Sequence, residues 1–194
     1  MIKIRTLFAV LLAVMIYPGI VAYAQENAHE HEQDHETEYH ESHVHGTSEL
    51  LLAIEGHQME IHFQSPAVNL LGFEHKPQSP TQQQRFSSAV KTLAQADSLF
   101  SLPAEAECEL EKADVQAPFE DVHDDHGHEK QAEQEHADFS AHYHYHCKHT
   151  SKLTGLNVNM FEHFPLIELI RVQALSDKGQ QSFELHSDHR QIEM

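Results

Sequence analysis

The chain has 194 residues, with 12 basic against 31 acidic residues and a formal net charge of −19. That balance excludes a nucleic-acid binder, which needs clustered Lys and Arg to neutralise phosphates, and it disfavours docking on anionic lipid. The 20 histidines, about a tenth of the chain, point instead to metal chemistry, because imidazole is the commonest metal ligand and titrates near neutrality.

Residues 1–24 read as an export signal. Lys3 and Arg5 precede an apolar stretch, Leu7 to Ile16, and Ala22-Tyr23-Ala24 is an A-x-A cleavage site. The apolar run before Pro18 is too short to span a bilayer comfortably. Cleavage after Ala24 leaves 170 residues, a net charge of −21 and no further stretch able to cross a membrane. The expected product is soluble, exported and not membrane-inserted.

Residues 25–46 hold His29, His31, His35, His40, His43 and His45 among seven acids, with almost no aliphatic side chain. Such a tail buries too little apolar surface to offset ordering entropy, so disorder is expected. A single domain is expected over 47–194. Leu50, Leu52 and Ile54, then Met59, Ile61 and Phe63, alternate on either side of Gly56 and predict a hairpin. Ser79-Pro80 supplies an N-cap and a proline at the first helical position, and Phe86, Ala89, Val90 and Leu93 mark one helix face over 80–96.

A strand is expected around 107–116. It is followed by an acidic loop at 119–136 carrying His123, His126, His128 and His136. The segment 138–147 alternates, with Phe139, Ala141, Tyr143, Tyr145 and Cys147 on one face. Strands at 167–175 and 181–186 flank the turn Asp177-Lys178-Gly179, and a short last strand covers Ile192 to Met194. The fold class is α+β, mainly antiparallel sheet with one or two helices. The echo of Phe73-Glu74-His75 in Phe161-Glu162-His163 leaves open two weakly repeated halves or coincidence.

Export to an oxidising compartment predicts that Cys108 and Cys147 pair, tying neighbouring strands. Closing that loop contributes about 3–4 kcal/mol in the chain-entropy view. Their wide spacing is unlike a CxxC metal site.

Four histidine groups are candidate metal ligands. The tail, ending at His43 and His45, can wrap a divalent ion, as can the loop with His123, His126, His128 and His136. The sharpest geometric signal is His142, His144 and His146: residues two apart on a strand share a face, so these three imidazoles project together, with His149 just beyond. The fourth group is Glu74-His75 with Glu162-His163, each Glu a ligand or a partner to its His. His57, His62, His186 and His189 read as surface residues.

Several segments then combine into a resemblance. These are His43-Val44-His45-Gly46, Leu51-Leu52-Ala53-Ile54-Glu55-Gly56, and Ser65-Pro66-Ala67-Val68-Asn69-Leu70-Leu71-Gly72-Phe73-Glu74-His75. Cys108, the acidic His loop, Ala137-Asp138-Phe139, Cys147, Phe161-Glu162-His163-Phe164-Pro165 and Arg171-Val172-Gln173 add to it. Together they resemble the ZrgA-type zinc-regulated periplasmic zinc-binding proteins over nearly all of the mature chain. The resemblance implies a bacterial periplasmic protein that binds Zn2+ and assists its uptake beside an inner-membrane zinc transporter.

Imidazole with carboxylate also suits Cu2+ or Ni2+ in vitro. Only five Met are present, two of them in the signal, which lowers the case for a copper(I) carrier. Two other readings compete. One is a metal-sensing or storage module docking a membrane complex. The other is a small zinc hydrolase, disfavoured because neither HExxH nor GxSxG nor a P-loop occurs.

Overall fold

The computed structural model describes residues 44–119 and 137–194. The expected signal peptide, most of the acidic tail and nearly all of the acidic loop lie outside the described residues.

The first hairpin forms as the alternation requires. Strand β1 (Thr47–Glu55) and β2 (Gln58–Pro66) pair antiparallel from Glu49↔Gln64 to Glu55↔Gln58. Leu50, Leu52, Met59, Ile61 and Phe63 are buried. The chain reverses at Gly56, whose φ of +59° is the conformation a tight primed turn asks of its first central residue. Helix α1 (Ala67–Leu71) follows directly and ends on Gly72, in the left-handed region at φ 82°.

Helix α2 (Pro80–Leu93) starts with a full capping box. The Gln82 N–H donates to Ser79 Oγ, and Gln82 Oε1 accepts the Ser79 N–H, each at 3.3 Å. The helix stops at Leu93 rather than continuing to 96, and a short helix α3 (Ala96–Leu99) takes over. One of the end carbonyls of α2 is satisfied from the sheet: Tyr143 Oη donates to the Leu93 carbonyl at 2.8 Å. The break at Ala94-Gln95 turns buried Ala96 and Leu99 into the core and leads to β3 (Phe100–Ser101).

The remaining elements are β4 (Cys108–Gln116), β5 (Asp138–Cys147), β6 (Gly155–Val158), α4 (Met160–His163), β7 (Leu169–Ser176), β8 (Gly179–Leu185) and β9 (Gln191–Glu193). Six strands form one sheet in the order β4-β5-β2-β1-β7-β8, and three short ones form a second in the order β3-β6-β9. The α+β class and the dominance of sheet are as expected. Two features are additional. Among the described residues there are four helices, of which only α2 exceeds five residues. The pair β1·β7 is parallel, joining two hairpins into one sheet.

One face of the large sheet carries the core. Phe139, Ala141, Tyr143, Tyr145 and Cys147 of β5 lie in one buried cluster with Leu71, Leu93, Leu99, Leu156 and Phe161 from the helices and the small sheet. Gly155 permits the close approach of β6 to β9, since a Cβ there would lie 2.3 Å from the Ile192 carbonyl oxygen. Cys108 and Cys147 stand opposite each other on β4 and β5 and form the expected disulfide, with an S–S distance of 2.05 Å and a Cα–Cα distance of 3.9 Å.

Candidate metal centre

Strand β5 alternates without interruption, inward residues buried and outward ones half-buried. Ser140, His142, His144 and His146 therefore share the face of the large sheet opposite the core. The strand register defines what surrounds them. His142 lies between His62 on β2 and Asp114 on β4. His144 lies between Glu60 and Lys112, and His146 between Gln58 and Glu109. The central strand of a three-strand patch is thus lined with imidazole, and both flanking strands bring carboxylates.

The closest association is between His62 and His142. Their rings stack at 4.0 Å between centroids with 10° between planes. Both Nε2 atoms converge on the Ser140 hydroxyl, at 3.0 Å from His62 and 3.4 Å from His142. Burial first, then repulsion from His142, holds the His62 imidazole below its ordinary pKa of 6.5. The shift favours the neutral form that a metal requires. His144 Nδ1 lies 3.5 Å from Glu60 Oε1. The Gln58 side-chain amide lies 3.4 Å from His146 Nδ1. The ring of His57 is 5.7 Å from that of His146, and its Nδ1 is 3.0 Å from the Cys147 carbonyl oxygen. Asp114 is engaged by Lys112 on its own strand.

The other candidates are placed differently. His149 sits beyond the end of β5 with its Nε2 3.5 Å from Glu107. Lys148 also contacts Glu107 and lowers the pKa of that carboxyl by hydrogen bond and charge. Glu74 meets His45, with 3.4 Å between Oε1 and Nε2. His75 is exposed, its Nδ1 3.0 Å from the Lys76 carbonyl oxygen. Glu162 is bound by Arg190, which lowers its carboxyl pKa, and the neighbouring His163 is exposed. The echoed segments differ in setting. Phe73-Glu74-His75 follows α1, whereas Phe161-Glu162-His163 lies within α4. His43, His123, His126, His128 and His136 lie outside the described residues.

Buried Asn69 explains why two distant motifs occur together. Its Oδ1 accepts the Gly46 N–H at 2.7 Å and its Nδ2 donates to the Thr47 carbonyl at 2.8 Å. The Ser48 and Ser65 hydroxyls, 2.8 Å apart, complete this buried network. The segment ending in His45-Gly46 is thereby fixed beside the segment 69–75 that carries Glu74.

Of the residues on this face, Glu60 was not singled out by sequence reasoning, and His62 was read only as a surface residue. The signal was present in β2, where Glu60 and His62 alternate with Met59, Ile61 and Phe63 and must face away from the core. What could not be read was that β5 would be the neighbour. Among the described residues, no three His, Cys, Asp or Glu side chains stand close enough to hold a metal ion as placed. Both Nε2 atoms nevertheless lie within hydrogen-bond reach of one hydroxyl, and a zinc bound to both at about 2.0–2.1 Å would need the hydroxyl to move aside and the stacked rings to turn out of parallel.

Fold and face together define a sheet protein with an open, imidazole-lined surface suited to a borderline-soft divalent cation. Residues 42–194 match the family described as ZrgA family zinc uptake protein, and the chain belongs to that family. The family is one of zinc uptake rather than of catalysis. No curated protein matches the chain. Among the described residues no helix is long and apolar enough to cross a membrane.

Proposed function

We propose that this protein is a periplasmic zinc carrier that captures Zn2+ on the open face of the large sheet and yields it to an inner-membrane transporter. The observation that carries this reading is the convergence of His62 Nε2 and His142 Nε2 on the single Ser140 hydroxyl. Zinc, the cargo, would take these two nitrogens, with a further ligand drawn from the same face.

The chemistry of capture and release follows from the surroundings. A net charge of −19 draws divalent cations towards the chain. The face is open to solvent on one side, so a ligand exchange with a partner's site can begin without unfolding the core. The acidic His tracts, 25–46 and 119–136, would act as low-affinity collectors, with ordering entropy opposing tighter binding. Acid releases zinc because imidazole ligands must be neutral.

Isothermal titration of the zinc-free chain with Zn2+ tests the assignment. Replacing both His62 and His142 by Gln removes the tightest binding phase and leaves the weak, multi-ion phase of the tracts. An unchanged tight phase in that variant refutes the sheet-borne site.

A further inference from the structure

The acids of this chain are unevenly spread. With 31 of them in 194 residues, a segment of 22 would hold three or four, yet residues 75–96 hold none. The same segment contains Lys76, Arg85 and Lys91 and includes the whole of α2. An acid-free helix on a protein of charge −19 is the opposite of what zinc attraction would favour.

The polar side of α2 also borders a groove of about 420 Å³. Thr81, Gln84, Arg85, Ser88 and Thr92 line it at helical spacings of three, one, three and four, so they occupy one side of the helix. His163 of α4 closes the other wall, and Leu70 and Phe164 contribute apolar surface. Among the described residues no carboxylate lines the groove. Glu162, beside His163, is held by Arg190.

Among the described residues these donors have few partners. Among the described residues Arg85 has no carboxylate partner, and its Nη1 makes one long contact, 3.5 Å, to the Leu71 carbonyl. That contact positions the guanidinium and leaves its other N–H groups available. A guanidinium, an imidazole, an amide and three hydroxyls around an acid-free cleft are a donor set for a carboxylate anion. The volume fits a small molecule.

We propose that the groove between α2 and α4 binds a small dicarboxylate, with Arg85 as the charged anchor and His163 as the second contact. This site is separate from the zinc face and does not depend on the zinc reading.

The test is a titration of the zinc-free full chain with succinate, followed by amide and imidazole NMR. Saturable shifts are expected in α2 and at His163, with Gly179 unaffected. Succinamide, the uncharged analogue, should leave the spectrum unchanged. Arg85→Gln should weaken binding about tenfold or more, the loss of one charge-assisted pair, while keeping the folded spectrum. His163→Gln should weaken it less.

The proposal is overturned by equal shifts with succinamide, by wild-type affinity in Arg85→Gln, or by no saturable shift. A tetraglutamate peptide that moves the same residues more tightly than succinate overturns the small-molecule assignment.

Discussion

Neighbouring residues of β5 experience opposite environments. Tyr143 and Tyr145 are sealed in the core, where burial pushes both phenols well above their ordinary pKa. His142 and His144, one residue away on the same backbone, lie half-open on the other face among carboxylates and imidazoles. The lesson is a division of labour within one strand: the inward set fixes the register, and the register decides which ligands the outward set meets. A one-residue slip would exchange the two sets entirely.

Substitutions on the two faces should therefore separate stability from zinc binding. The largest stability loss is expected inside. Phe139→Ala should cost about 3–5 kcal/mol in denaturant unfolding, because it empties a fully buried ring site. Removing the Cys108–Cys147 bridge with paired Ala substitutions should cost about 2–5 kcal/mol, measured the same way under oxidising conditions. Asn69→Ala should cost about 1–3 kcal/mol, since it orphans the buried Gly46 N–H. Faster amide hydrogen exchange at Gly46 would accompany it.

On the open face the ranking reverses. His142→Gln should change stability by less than about 0.5 kcal/mol and still weaken tight zinc binding. If it unfolds the protein instead, the two faces are not independent.

The smallest expected effect is in pH. Burial and His142 hold the His62 pKa below 6.5 in the folded state, whereas the unfolded chain titrates near the ordinary value. The unfolded state therefore binds more protons between the two values. The His62 contribution is fully present above 6.5 and is lost as pH falls through the folded pKa. Imidazole NMR should show a His62 midpoint under 6.5, moving upward in His142→Gln as the neighbour's repulsion disappears.

How much of this was legible beforehand follows the range of the interactions. Alternation in 47–66 and 138–147 predicted strands with the correct inward faces, and Ser79-Pro80 predicted the helix start, because these are local patterns. The parallel pairing of β1 with β7 was not legible, since nothing local records it. Nor was the helix end at Leu93, which a distant tyrosine helps to satisfy. The site divides in the same way. His142, His144 and His146 could be read from one strand, whereas His62, read as a surface residue, meets His142 only when β2 is laid beside β5.

The most direct test of the central claim is long-range 1H–15N NMR of the histidine rings in the full chain as one equivalent of Zn2+ is added. The account predicts that the Nε2 signals of His62 and His142 shift first and together, ahead of the other imidazoles. Signals of those two rings that stay unchanged through the first equivalent, while other histidines respond, would contradict it.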